Sequence, residues 1–332
     1  MAKQTSEIIK NYLVRFPNTP TLTLAKKIYA ENMTSFKDVE HARTTIRVYR
    51  GQVGEKKRKE LKDKTHYKEA GKLNPFNLPE SYAVERKPFK LPLADNNILV
   101  LSDLHFPYQN NDAISIAMQY GLDNNVNTIF LLGDVLDFFQ CSRFEKTPHK
   151  RSIAQEFDAT RQFFASLRAT FPTQSVYWIK GNHDERYEKW LYVKAPEIFD
   201  VEDFQLDVLL RLNDFKIKII EGNVLVKFGK LNVSHGHHVV KGVFAPVNTA
   251  RGAYMKAKAS MMIGHTHQVS QHTEKTIDGD IISTWSVGCL CELRPDYEPL
   301  NTKASHGFAH VRVEKNGNYH VDNKMIFNGK LL

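Results

Sequence analysis

Three cysteines in 332 residues, Cys141, Cys289 and Cys291, are too few for a disulfide framework. They read as reduced thiols. Cys289 and Cys291, one residue apart, also miss the spacing of paired zinc-binding cysteines. No run of about 18 apolar residues occurs, which excludes a membrane-spanning helix. The opening stretch, Met1-Ala2-Lys3-Gln4-Thr5-Ser6-Glu7, carries no apolar core of the kind that directs secretion. No internal repeat or low-complexity tract is present. From these absences the expectation is a cytoplasmic protein with no membrane partner.

Most of the chain also lacks net charge. The formal total is +9, yet residues 1–90 hold 20 Lys and Arg against 10 Asp and Glu, and the remainder holds 26 against 27. A basic appendage on a near-neutral body is the expected organisation. The length suits one large α/β domain plus such an appendage.

Residues 5–50 predict three short helices. Ile8, Ile9, Tyr12, Leu13 and Phe16 recur at helical spacing until Pro17 stops the run. Thr21 or Thr23 suits the cap of a second helix carrying Leu24, Ile28 and Tyr29. Ser35 suits the cap of a third, with Asp38 three residues on and Gly51 and Gly54 closing it. Arg43, Arg47 and Arg50 share one face of that third helix. Two readings stay open for residues 1–54. One is a helix-turn-helix unit with these arginines as nucleic-acid contacts in a major groove. The other is a small helical domain with a solvated basic face. Residues 55–95, charged and then punctuated by Pro75, Pro79, Pro88 and Pro92, read as a linker. The expected partner of residues 1–90 is DNA, with protein as the alternative.

From Asn97 onward the pattern becomes strand, loop, helix, strand. Strands are expected at 98–101, 129–132, 176–179, 217–220, 224–228, 231–233, 261–263, 281–287, 308–313 and 319–326. Helices are expected at 112–120, 152–169, after Asp184, near 204–210 and at 248–259. Strands alternating with helices first, and more β later, fit an α/β domain over residues 96–332, with two packed sheets and helices outside.

Five of the strands end in polar residues. Asp103-Leu104-His105 follows the first, and Gly133-Asp134-Val135-Leu136-Asp137 the second. Gly181-Asn182-His183-Asp184, Ser234-His235-Gly236-His237 and Gly264-His265-Thr266-His267 follow three others. Ligands of open α/β sheets collect at the carboxyl ends of strands. A carboxylate there suffers desolvation unless something offsets it, and a cation does so. One such fragment alone is more often a surface or core histidine; five at one edge read as a site. Mixed carboxylate and imidazole ligands suit Mn, Fe, Zn, Co or Ni rather than a magnesium or calcium cage. Asp134 reads as a carboxylate shared by two ions about 3.5–4 Å apart, a pair that acidifies a bridging water and clamps a phosphoryl group.

In this order the blocks resemble the calcineurin-like metallophosphoesterases, over about residues 97–320. The resemblance implies a four-layer α-β-β-α sandwich with two mixed sheets, preceded here by the all-helical segment. It implies two divalent metal ions per chain, Mn²⁺ first among Mn, Fe, Zn, Ni and Co. Asp103, His105 and His267 would hold one ion, Asn182, His235 and His265 the other, with Asp134 bridging. His183 would be the general acid, oriented by Asp137. Asn182 and His237 would face the substrate phosphate, and His238 would be structural or exposed. Serine/threonine phosphatases of the family carry Arg-Gly after the second block; Phe138-Phe139 follows Asp137 here, which disfavours that branch. The His235-Gly236-His237 form is similar to small bacterial and archaeal phosphodiesterases. The basic helical segment joined to this core is similar to phage- or prophage-encoded members, whose setting is the host cytoplasm. The implied function is hydrolysis of a phosphate (di)ester, a nucleic acid or nucleotide, by in-line attack of a metal-bridging hydroxide. A protein phosphatase and a nucleic-acid-binding protein retaining the scaffold are the alternatives. Arg186, Tyr187, Trp190 and Arg211 either shape the substrate mouth or pack, and His306 is a candidate substrate contact.

Overall fold

The computed structural model describes residues 2–53, 65–66, 79, 81–84, 86–142, 152–240, 247–294, 300 and 303–332. By its internal contacts the chain divides into two units, Met1–Val84 and Glu85–Leu332.

Among its described residues the first unit contains three helices: α1 (Ala2–Arg15), α2 (Thr21–Glu31) and α3 (Val39–Tyr49). Ile9, Leu13, Leu24, Ile28, Phe36, Ile46 and Tyr49 form its core, as the helical spacing predicts. The caps differ from expectation. α2 starts at Thr21 with Pro20 before it, so neither Thr21 nor Thr23 caps it. Asp38, not Ser35, caps α3, its carboxylate accepting from His41 N at 2.6 Å. Arg50 is a further correction. Expected as a nucleic-acid contact beside Arg43 and Arg47, it is buried, only 2% exposed. Its guanidinium donates to Thr21 Oγ1 (2.9 Å), Pro17 O (3.3 Å) and Thr19 O (2.8 Å). Lying one residue beyond α3, it turns its donor fork onto two carbonyls of the α1–α2 connection. Arg43 pairs with Glu40 at the surface (3.1 Å) and Arg47 is partly exposed.

The second unit runs in the order β1 (Phe89–Lys90), β2 (Asn97–Leu101), α4 (Asn111–Asp123), β3 (Thr128–Leu131), α5 (Ile153–Thr170), β4 (Ser175–Ile179) and α6 (Glu185–Lys194). Then come α7 (Leu206–Leu209), β5 (Ile217–Ile220), β6 (Val226–Phe228), β7 (Leu231–Ser234), α8 (Thr249–Ala257) and β8 (Met261–Ile263). β9 (Ser270–Lys275), β10 (Ile281–Ser286), β11 (His306–Val313), β12 (Tyr319–Phe327) and β13 (Lys330–Leu331) complete it. One mixed sheet has the order β13-β12-β11-β2-β3-β4-β5, the other β1-β6-β7-β8-β10-β9. The expected linker ends early, because β1 already pairs with β6 inside this unit. β9 escapes sequence reading because Ser270-Gln271-His272-Thr273-Glu274-Lys275 is mostly exposed and has no apolar alternation.

The layering follows from side-chain alternation. In β2, Leu99 and Leu101 face a core made with α4, α5 and α6, through Ala117, Phe164, Leu167 and Leu191. Ile98 and Val100 point the other way, into a core shared with Val226, Phe228, Val233 and Met262 of the second sheet. α8 covers the far side of that sheet through Ala253, against Met261 and Ile263. Helix, sheet, sheet and helix therefore stack as expected, with three apolar layers between them. Strands β2, β3, β4 and β5 are mutually parallel, as are β7, β8 and β10. Their carboxyl ends therefore open on one edge, and α5 begins with a capping box at Ser152 and Gln155. No helix among the described residues is long and apolar enough to cross a membrane.

Candidate metal centre

The loops leaving the strands turn abruptly. Asp103, His105, Asp134, His265 and His267 all take the left-handed backbone, with φ of 53°, 49°, 51°, 68° and 55°. Each such residue costs on the order of 1–3 kcal/mol unless its surroundings hold it there. Backbone hydrogen bonds do so. Asp103 N donates to Gly133 O (3.1 Å), His105 N to Asp134 O (3.0 Å) and Phe106 N to Val135 O (2.8 Å). Gly133 and Gly181 are glycines for close approach: a Cβ on the first would collide with the His235 ring, on the second with the Asp134 carboxylate.

The structure brings the strand-end residues together. The ligand atoms of Asp103, His105 and Asp134 lie within 4.8 Å of one another, as do those of Asp134, His235 and His265. Asp134 is thus common to both clusters. His267 Nε2 stands 3.1 Å from His105 Nε2 and 3.3 Å from Asp103 Oδ1, joining the first cluster. His235 Nε2 stands 3.1 Å from Asp134 Oδ2, and its Nδ1 donates to Leu132 O (2.7 Å), which leaves Nε2 as the ligand atom. Asn182 and His237 line a cleft beside His265. His238, on the same cleft, is exposed.

These residues fit a pair of cations. Asn182 Oδ1 is buried without a hydrogen-bond partner, and Asp103 Oδ1 and His235 Nε2, buried too, face only other candidate ligands, His267 Nε2 at 3.3 Å and Asp134 Oδ2 at 3.1 Å, without a well-formed hydrogen bond. Burial, with His235 next, lowers His265 to about 4 and His237 to about 3, so both are neutral imidazoles at pH 7. Burial opposes a charge on His105 and His235, yet the surrounding carboxylates raise both to about 9. The carboxylate cluster calls for positive charge, and entering cations would displace those protons.

Asp137 serves two histidines. Its Oδ1 lies 3.0 Å from His105 Nδ1 and 3.1 Å from His183 Nδ1. The sequence reading assigned it to His183 alone. Arg186 closes the other side, donating to Asp137 O (2.9 Å) and to His183 Nε2 (2.9 Å).

Sequence reasoning missed the role of Asp184. Fully buried, it accepts from Gly181 N (2.8 Å), Asp134 N (2.8 Å), Val135 N (2.9 Å), Leu136 N (3.1 Å) and Trp178 Nε1 (3.2 Å). A carboxylate closing a glycine-led turn was the available signal. Cys291 is a second omission, its Sγ 3.8 Å from His267 Nδ1; nothing in its spacing announced this. Cys141, Cys289 and Cys291 are all free thiols. His306 Nε2 lies 2.9 Å from Cys291 O, so this ring is tied to the loop after β10. Tyr187 is buried in the core, whereas Arg186 and Trp190 line the cleft; Arg211 does not.

Glu156 was also unforeseen. Only 1% exposed, it accepts from Phe138 N (2.7 Å). Burial, with the Asp137 charge adding to it, pushes its carboxyl up to about 8. The folded state then holds a proton that the unfolded chain releases near pH 4.5, so stability falls as pH rises from about 4.5 to about 8. Glu156→Gln keeps the acceptor without the charge. Its melting temperature should match wild type at pH 5 and exceed it at pH 8, by roughly 1–3 kcal/mol of stability. Equal differences at the two pH values would rule out this titration.

A family model described as Calcineurin-like phosphoesterase matches residues 97–269. The "Gene 54 protein" of Mycobacterium phage L5 is 28% identical over 185 residues, covering 53% of this chain and 71% of that protein. Among solved structures, Vacuolar Protein Sorting 29 from Cryptosporidium parvum aligns with a TM-score of 0.39 at 15% identity, over 71% of this chain and 94% of its own. YfcE, a phosphoesterase from E. coli, aligns with a TM-score of 0.34 at 14% identity, over 68% and 98%.

Proposed function

The chain belongs to the calcineurin-like phosphoesterase family, and on that premise we propose that it hydrolyses a phosphodiester of a nucleic acid or nucleotide with two bound divalent ions. The carrying observation is the convergence of five strand-end blocks on Asp134, with three buried ligand atoms lacking a well-formed hydrogen bond. Asp103, His105 and His267 would hold one ion and Asn182, His235 and His265 the other, with Asp134 shared. Such ions, Mn²⁺ being the expected pair, acidify water and neutralise charge on a phosphoryl group.

The protein's own part is positioning and proton transfer. The contacts with Asp137 orient His183 through Nδ1, leaving Nε2 toward Arg186. Protonated at Nε2, His183 would serve the leaving oxygen as general acid. Arg186 would pass from His183 to the phosphoryl oxygens when substrate enters. Phe138, where the protein phosphatases carry arginine, is buried against Phe157 and Tyr187, which favours a substrate other than a phosphoprotein.

Purified protein with Mn²⁺ is expected to hydrolyse bis-p-nitrophenyl phosphate and at least one member of a panel of mononucleotides, cyclic dinucleotides, DNA and RNA. Inactivity on every member would refute the reading. Asp137→Asn is expected to lower kcat by about 10²–10⁴-fold through His183. Because Asp137 also braces His105, it should weaken metal affinity by about 10–100-fold. Calorimetric Mn²⁺ titration beside kinetics separates the two; wild-type affinity would confine Asp137 to His183.

A further inference from the structure

The cleft that holds Asn182, His237 and His265 has a volume of about 680 Å³ and extends away from the clustered carboxylates along one helix. Arg186, Lys189, Trp190, Val193 and Lys194 of α6 all line it. Their offsets of three, four, seven and eight place them on a single face of that helix. The charged residues on this stripe are all basic. Of the two acidic residues of α6, Glu188 turns to Lys180 (2.6 Å), and Glu185, paired with Lys189, lies beside His237 (3.8 Å). Trp190 is partly buried, one side packed on the helix-covered core and the rest lining the cleft.

Resting on the phosphodiesterase reading above, we propose that this stripe is a binding track for a single strand of nucleic acid leaving the metal centre. Trp190 stacks on a base, Arg186 meets the phosphate nearest the reaction, and Lys189 and Lys194 meet phosphates farther along. Cations interleaved with an aromatic face are the chemistry that holds single strands without sequence preference. In a duplex both faces of each base are covered by its neighbours, so a lone indole has nothing to stack on. A phosphopeptide would use the cations and leave Trp190 idle.

The test compares kcat/KM of the full chain with Mn²⁺ on a short mixed-sequence single-stranded DNA, its hairpin duplex, a phosphoserine peptide and methyl p-nitrophenyl phosphate. Trp190→Ala should lower the ratio of single-strand to small-ester activity by roughly 5- to 150-fold, with Trp190→Phe restoring most of it. Lys189→Ala/Lys194→Ala, at exposed positions, should flatten the log–log salt dependence of single-strand affinity by about 1.4, two contacts at about 0.7 each. An unchanged ratio and an unchanged salt slope would overturn the proposal. So would equal wild-type activity on the hairpin duplex, or a larger Trp190→Ala loss on the phosphopeptide. Activity on the small ester with none on the oligonucleotide defeats the track alone; inactivity on both defeats the phosphoesterase reading beneath it.

Discussion

Asp134→Asn is expected to remove metal and hydrolysis together, the rate falling by more than about 10³-fold. Both oxygens of this carboxylate are committed. Oδ1 accepts from His183 N (2.8 Å), and Oδ2 lies 3.1 Å from His235 Nε2 and 3.8 Å from His105 Nε2. An amide of the same shape keeps one oxygen and turns an NH₂ group toward whichever partner it loses. It also removes the negative charge at the point the two ligand clusters share. The fold should survive, because Asp134 N and O keep their bonds to Asp184 and His105 N. Metal content after dialysis, measured beside a thermal melt, checks both halves. A folded variant that still carries two ions would show that Asp134 is not the shared ligand.

Asp184→Ala should have the largest effect on stability. The five N–H donors converging on this carboxylate come from Trp178, Gly181 and three successive residues of the loop after β3. A buried donor left without an acceptor costs about 1–3 kcal/mol, so a loss above about 4 kcal/mol is expected even with relaxation. The loop in question carries Asp134 in its left-handed conformation, with φ 51°. Metal affinity should therefore fall, although Asp184 bonds Asp134 through the latter's backbone N–H and not through its carboxylate. Asp184→Asn, which replaces one acceptor oxygen with a donor, should be impaired as well. Urea unfolding with Mn²⁺ titration reads both effects, and an unfolding midpoint equal to wild type would exclude a bracing role.

Asp134 and Asp184 mark the boundary of what sequence can reveal. Asp134 was legible because it follows an apolar run that a helix period does not explain, and a carboxylate at a buried strand end needs a partner. Asp184 sat in an equally visible fragment, but its task is to receive backbone N–H groups from a loop some 50 residues away. No local pattern encodes that meeting. Arg50 fails in the opposite direction. Its spacing with Arg43 and Arg47 is helical, yet the helix ends one residue earlier and the side chain turns inward to the α1–α2 connection. Polar β9 was invisible for want of alternation, and β1 is only two residues long.

The sequence by itself determined the strands that deliver the site, the order of their polar ends, the confinement of net positive charge to the first 90 residues, and the candidate ligands. These are local properties, written in apolar periodicity and in residue type. Only the tertiary structure decided that Asp137 supports both His105 and His183, that Cys291 approaches His267, and that one face of α6 lines the cleft. Each depends on which strands are parallel neighbours and on how their loops turn. That is fixed by packing two sheets face to face, not by any window of the chain.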